Sequence, residues 1–167
     1  GAFVLTAYSR INDPQKPVNL YIEGDGFAFI SRNLVSPDPT PRHAMALALA
    51  AADVAPNVVY LARPCQFHDF KLSECDSRYW TDKRFAEEVI SAMNQAVSGF
   101  MQQTHHQQVS LIGYSGGAAL AVLIAARRED VASLRTVAGN LDPVALNNFH
   151  KVSAMPESLS PMDVADS

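Results

Sequence analysis

The chain has 167 residues, of which 48% are hydrophobic and 18% charged, and its formal net charge is -4. This size and composition predict one soluble globular domain over residues 1–167 with a single core, and they argue against a disordered protein. Because no basic cluster accompanies the negative charge, we do not expect a nucleic-acid-binding protein. No apolar run is long enough for a membrane span, so we expect no membrane-spanning segment.

The first third of the chain predicts two strands, a helix and a third strand. Residues 3–9 and 18–22 have strand-like composition, and the turn formers at 12–17 predict that they form a hairpin entering the sheet. The Pro-rich stretch 36–41 excludes regular structure until a helix that begins near Arg42, with Thr40 as its cap. This helix should end near Ala52, and residues 58–62 should form the next strand.

The rest of the chain continues the alternation of helices and strands. A helix is predicted over 83–103, a strand over 109–112, a helix over 118–128 and a strand over 134–138. The apolar stripe of the first of these helices indicates core packing rather than a cofactor groove. This order predicts an α/β fold, a mostly parallel sheet with helices on both faces, whose strand-following loops meet at one edge where ligands bind.

A glycine-flanked serine joins the strand 109–112 to the helix that follows it. Residues 113–117 are Gly-Tyr-Ser-Gly-Gly, and a tight turn here requires Gly113 and Gly117 because side chains at those positions would collide. Such a turn holds the Ser115 hydroxyl at the positive end of a helix, beside the Gly116 amide. We therefore predict that Ser115 is a nucleophile. The alternative is a turn that serves packing only.

This pattern, GxSxG between a strand and a helix, resembles the nucleophile elbow of the α/β-hydrolase superfamily. The stretches YLARPCQ (60–66), GYSGG (113–117) and TVAGNLD (136–142) are also similar to bacterial α/β-hydrolases of the exported or lipoprotein kind, and the resemblance covers about residues 18–150. It implies a three-layer αβα fold and a serine hydrolase of the esterase, lipase or thioesterase type. Such an enzyme acts on a small-molecule acyl substrate and needs no metal or organic cofactor. A peptidase or acyltransferase would use the same groups.

The resemblance further implies an oxyanion hole built partly by loop 23–27, which follows the strand 18–22. Its first two residues, Glu-Gly, stand where many members have His-Gly. The donors would be the amides of Gly116 and Asp25, with Gly26 or Phe27 as alternatives to Asp25. A plain glycine turn at the end of a strand is the other interpretation.

The catalytic base and acid are harder to assign. In the superfamily the acid and then the histidine follow the serine. Here His150 is the single histidine after Ser115, and Asp142 follows the strand 134–138, so they are the candidates. A surface histidine and a helix-capping aspartate are the alternatives.

A complete member of the superfamily has about two more strands and a helix after this point. The sequence therefore also predicts that the acid and the histidine lie beyond residue 167, and that these residues alone are a C-terminally truncated, inactive fragment. The alternative function is a non-catalytic α/β-hydrolase-like binding or scaffold module that lacks the histidine.

The two cysteines, Cys65 and Cys75, are ten positions apart and bracket a polar loop, which predicts a disulfide. Two free thiols of a cytosolic enzyme are the alternative. A disulfide favours an exported protein of the periplasm or cell envelope, with the cytoplasm as the alternative. The chain begins at Gly1, so we expect that an export signal was either removed or never present. The sequence leaves the oligomeric state open.

Other histidines and one arginine have two interpretations each. His105 and His106 close a helix on the edge opposite Ser115, and we predict that they are solvated rather than a metal pair. His43 lies in a loop at the Ser115 edge, where it could contact substrate although it precedes the serine in the chain. Arg63 either lines the cleft or forms a structural salt bridge.

Overall fold

The computed structural model describes residues 3–67 and 75–165, which form a five-stranded sheet, a small hairpin and four α-helices. The strands of the sheet are β1 (Ala7–Ile11), β2 (Val18–Ile22), β5 (Asn57–Leu61), β6 (Val109–Tyr114) and β7 (Val131–Val137). The hairpin consists of β3 (Phe29–Ser31) and β4 (Leu34–Val35). The helices are α1 (Met45–Ala52), α2 (Glu87–Thr104), α3 (Gly116–Ala125) and α4 (Pro143–His150), and 3₁₀ turns occupy Ser77–Trp80 and Pro161–Val164.

The sheet is mostly parallel, in the order β1-β5-β2-β6-β7. Strand β2 pairs in parallel with both β5 and β6, and β6 pairs in parallel with β7, whereas β1 is antiparallel to β5. The predicted hairpin of β1 and β2 is therefore wrong, because β5 lies between them. The Asn57 side chain explains this pairing, since its oxygen accepts the amides of Asn12 and Asp13 (3.0 and 2.9 Å) and ties the end of β1 to the start of β5.

Helices cover both faces of the sheet. Helices α2 and α3 pack on one face over a core that includes Leu20, Val59, Leu111 and Leu120. On the other face, the small side chains of α1 pack against the outward residues of β5. The predicted α/β fold, with a mostly parallel sheet between two layers of helices, is confirmed.

Two helices begin later than the sequence predicts. Helix α1 begins at Met45 rather than near Arg42, because the Thr40 hydroxyl accepts the Phe67 amide (2.7 Å) instead of capping a helix. Helix α2 begins at Glu87 rather than at residue 83, because the Lys83 amide is bound to the Arg78 carbonyl (2.8 Å) in a turn. The segment before α2 is therefore a loop, and its residues Thr81, Asp82 and Arg84 line a cavity that Ser115 also borders.

The cysteine prediction is confirmed, since Cys65 and Cys75 form a disulfide with their Cα atoms 5.7 Å apart. Within residues 3–67 and 75–165, no helix combines the length and the hydrophobicity that crossing a membrane requires.

Candidate active site

Ser115 occupies a tight turn between β6 and α3. Its backbone has φ 50° and ψ -119°, a positive φ that residues other than glycine rarely adopt and that costs of order 1–3 kcal/mol. Main-chain hydrogen bonds hold this conformation. The Ser115 amide donates to the Val137 carbonyl (2.9 Å), and the Ser115 carbonyl accepts the amides of Ala118 (3.0 Å) and Asn140 (3.2 Å). The serine is thus fixed at the edge of the sheet where β6 and β7 end.

The neighbouring glycines allow this turn because no side chain fits at their positions. A Cβ on Gly113 would lie 2.6 Å from the Ala118 nitrogen, and one on Gly117 would lie 2.5 Å from the Ile22 carbonyl oxygen. Both obstacles are main-chain atoms, which cannot rotate away. The close approach of Gly117 to the end of β2 brings the start of α3 against the loop that follows β2.

Loop 23–27 lies against Ser115 and the start of α3, since a Cβ on Gly24 would be 3.2 Å from the Ser115 Cβ. Gly116 is the first residue of α3, so its amide has no partner within the helix, and the Asp25 amide donates to none of the residues described. The Phe27 amide is occupied, because it donates to the Pro39 carbonyl (2.9 Å). The Asp25 carboxyl carbon would be only 2.6 Å from a Cβ on Gly116, so the two residues are in contact.

The carboxylate of Glu23 holds the start of this loop in place. Glu23 is buried, and it accepts hydrogen bonds from the Gly24 amide (3.0 Å), the Ala46 amide (3.3 Å) and the Tyr60 hydroxyl (3.1 Å). Burial, together with the charge of Glu23, raises the pKa of Tyr60 well above its ordinary value, so its hydroxyl remains a donor. The loop is therefore anchored to both α1 and β5.

Asp25 lies between two arginines. The buried Arg63 guanidinium forms an ion pair with one Asp25 carboxylate oxygen and donates to the Arg84 carbonyl (2.7 Å), and Arg84 Nη1 lies 3.6 Å from the other oxygen. Burial by itself would raise the pKa of Asp25, but the charges of Arg63 and Arg84 outweigh it and hold the pKa below its ordinary value. Asp25, Arg63 and Arg84 together carry +1, and the buried carboxylate of Glu23, whose charge also acts on Arg63, offsets it. Of the two interpretations of Arg63, cleft lining or a structural salt bridge, the structure shows the salt bridge.

The disulfide-linked loop supports the same region from behind. Gln66 Nε2 donates to the Gly24 carbonyl (2.9 Å), and Gln66 Oε1 accepts the Arg63 amide (3.1 Å). Cys65 lies between Arg63 and Gln66 in the sequence, so the disulfide fixes the segment that carries both side chains.

Ser115 borders two cavities. The larger, about 710 Å³, is also lined by Asp25, Arg84, Asn140 and His150. The smaller, about 310 Å³, is also lined by loop 23–27 and His43. Two histidines therefore face cavities that open on the same serine.

The candidate acid and base occupy opposite ends of α4. Asp142 is the N-cap residue, and its carboxylate accepts the Ala145 amide (2.8 Å), as the helix-cap interpretation predicts. His150 is the last residue of α4, eight positions later and about 12 Å along the helix axis at 1.5 Å per residue, so Asp142 does not contact it. His150 packs against the Phe149 ring (5.1 Å between centroids), and no hydrogen bond joins it to Ser115 in the described part of the chain.

The structure also corrects the prediction made for one of the two histidines at the end of α2. His106 is buried rather than solvated, and its Nε2 lies 3.1 Å from the Asp13 carbonyl oxygen. His105 is exposed, as predicted, and has the left-handed conformation that ends α2.

Arg84 and Gln66 were not among the predicted site residues. Gln66 follows β5 at the edge where Ser115 lies, so its position in the α/β pattern was a usable signal. Arg84 carried no local signal, because the sequence predicted that residue 83 begins a helix.

Comparisons with known proteins give a fold but no family. No family model matches the chain, and no curated protein matches it either. Among solved structures, it is similar to AqDC, described as recognising and cleaving the ring of the Pseudomonas quinolone signal, with 17% identity and a TM-score of 0.50 over 84% of this chain and 44% of that one. It also matches MGS-MChE2, an α/β hydrolase from the metagenome of lagoon sediments at Mar Chica, Morocco, with 13% identity and a TM-score of 0.43 over 88% of this chain and 54% of that one. The chain thus spans about half the length of the structures that it matches, and at such identities the likeness concerns the fold alone.

Proposed function

We propose that this chain is a serine hydrolase that cleaves esters or related acyl substrates through an acyl-enzyme at Ser115. The observation that carries the proposal is the strained backbone of Ser115 at the join of β6 and α3, at the border of a large cavity. Strain of this kind persists where the surrounding structure enforces it, and it is concentrated at functional sites. The resemblance of residues 113–117 to a nucleophile elbow supports the same function.

In this mechanism, the Ser115 hydroxyl attacks the acyl carbon of the substrate while a base takes its proton. The carbonyl oxygen becomes negative in the tetrahedral intermediate, and the amides of Gly116 and Asp25 donate to it. The base returns the proton to the departing alcohol, which leaves an ester on Ser115. Water then attacks that ester while the base takes its proton. The base gives this proton to the departing Ser115 oxygen, and the acid is released.

His150 is the proposed base, because it lines the larger cavity together with Ser115. It is exposed, so its ring can move toward the serine when substrate binds, as catalytic contacts in unliganded enzymes often require. Asp142, the proposed acid, is bound to the Ala145 amide at the far end of α4, so it could orient the histidine only if α4 itself rearranged. His43, across the smaller cavity, is the competing base.

One observation favours the second candidate function, a non-catalytic binding or scaffold module with this fold. The described residues contain no hydrogen bond from a histidine to Ser115, and a serine without a base is not activated. The larger cavity would then bind a ligand without cleaving it.

The disulfide supports a proposed location outside the cytosol, in the periplasm or cell envelope, since structural disulfides persist in oxidising compartments.

Labelling with a fluorophosphonate tests the function directly. The full-length protein is treated with the reagent, and the modified peptide is identified by mass spectrometry. We expect an adduct on Ser115, none in Ser115→Ala, and normal labelling in Ser153→Ala, which alters an exposed serine of the same cavity. Of the histidine variants, His150→Ala should slow labelling at least tenfold, and His43→Ala should not. A folded protein that forms no adduct would support the binding module instead.

A further inference from the structure

The larger cavity is lined by one largely buried cation, Arg84, whose hydrogen-bonding capacity is not fully used. The charged side chains that line it, apart from His150, are Asp25, Arg32, Asp82, Arg84 and Lys151. Asp25 is paired with Arg63, and Asp82 is paired with Arg78 at 3.1 Å; both of these arginines lie outside the lining. The lining thus holds three cations and two acids, and each acid also pairs with an arginine outside the lining, although the chain as a whole carries -4.

Arg84 is the best placed of these cations. Its side chain is only 14% exposed, and its single ion pair among the described residues is the 3.6 Å approach to Asp25, which is longer than a hydrogen bond. Its Nε atom is buried without a hydrogen-bond partner. A guanidinium presents five N–H donors in a planar fork, and leaving such donors buried and unpaired is unfavourable.

The Arg84 guanidinium lies close to the groups proposed to carry out the reaction. Arg84 contacts Asp25, Asp25 contacts Gly116, and Gly116 follows Ser115, so the guanidinium lies within one side chain of the proposed oxyanion site. A planar fork of donors matches a carboxylate, which accepts two parallel hydrogen bonds. A carboxylate of the substrate that reached Arg84 would pair with its guanidinium, whose single ion pair among the described residues is the 3.6 Å approach to Asp25.

We propose that the substrate is an ester carrying an ionised carboxylate close to the scissile carbonyl, and that Arg84 binds this carboxylate. This inference rests on the proposed hydrolase function and adds the substrate class. Arg32 and Lys151, at the exposed rim of the same cavity, contribute to the attraction of anions.

The test uses matched pairs of esters that differ in one charge. In the first pair the acyl part carries the charge: mono-4-nitrophenyl adipate against its methyl ester. In the second pair the leaving group carries it: 4-acetoxybenzoate against methyl 4-acetoxybenzoate. We expect kcat/KM to be about tenfold to a hundredfold higher for the anionic member of at least one pair, as for a charge-assisted hydrogen bond.

Variants then assign that preference. Arg84→Gln should bring the ratio of anionic to neutral kcat/KM close to one, and Arg84→Lys should retain part of it. Arg127→Gln, which removes a cation bound to Glu87 at the far end of α3, should leave the ratio as in the wild type. A preference that survives Arg84→Gln, or an equal loss on both members of each pair, would overturn the inference, the latter because it indicates a role at the oxyanion.

The outcomes also separate the two proposals. Turnover of the neutral esters without a preference for the anionic ones would overturn the substrate class and leave the hydrolase function standing. Absence of turnover for all four esters, with no fluorophosphonate adduct at Ser115, would overturn the hydrolase function and this inference with it.

Discussion

Replacing Gly117 by alanine is expected to destabilise the protein strongly, although alanine is the better helix former. A Cβ at this position would lie 2.5 Å from the Ile22 carbonyl oxygen and closer still to that of Glu23, so α3 and the end of β2 would have to separate. Overpacking of a buried site typically costs about 1–3 kcal/mol, and the upper end applies here because both obstacles are main-chain atoms. The helix-propensity gain of roughly 1 kcal/mol offsets part of this cost.

A net loss of about 2 kcal/mol should lower the melting temperature by roughly 4–8 °C in a chain of this size. Gly99→Ala is the matched control, because Gly99 lies in α2 and a methyl group added there would have nothing within 4 Å. That variant should gain up to about 1 kcal/mol and melt slightly higher. Urea unfolding followed by circular dichroism measures the free energy of unfolding of both variants, and thermal unfolding gives their melting temperatures. If Gly117→Ala were as stable as Gly99→Ala, the close approach of α3 to β2, and with it the turn at Ser115, would be refuted.

Two further predictions concern the groups that hold the loop beside Ser115. Removing the disulfide in Cys65→Ala/Cys75→Ala should lower the free energy of unfolding by about 3 kcal/mol, the loop-closure value for a separation of ten residues. Labelling of Ser115 should also become slower, because Arg63 and Gln66, which hold the loop beside the serine, flank Cys65. Unchanged stability and labelling would contradict this prediction. Asp25→Asn should cost about 3 kcal/mol at pH 7, because it leaves Arg63 buried without its ion pair. The pKa of Asp25 is below its ordinary value of about 4, so the carboxylate stabilises the fold above that pH and this contribution is lost as the pH falls through the lowered pKa. Below about pH 4 the difference in stability between variant and wild type should therefore begin to narrow, and it should vanish only below the lowered pKa. Urea midpoints measured from pH 7 to pH 2.5 would check this, and a difference that does not narrow would argue against the role of Asp25.

The local sequence pattern was sufficient to predict most of the strands and helices and the tight turn at Ser115. Alternating apolar runs and helix formers predicted the strands β2, β5, β6 and β7 and the helices between them, because burial of one face imposes a periodicity that can be read locally. The disulfide was predictable as well, since ten residues close easily to the required distance. Boundaries failed where a distant group decided them, as at α1, where Thr40 binds the Phe67 amide instead of capping the helix.

By itself, the sequence determined that Ser115 lies at the end of a buried strand, between glycines that a tight turn requires. Only the tertiary structure decided that β1 pairs with β5, that Asp142 and His150 are held apart by α4, and that Arg84 reaches the cavity of the serine. The reason is that a strand–turn–helix unit is specified by neighbours in sequence, whereas these contacts join residues many positions apart. Their partners are chosen by the packing of the whole sheet and its loops.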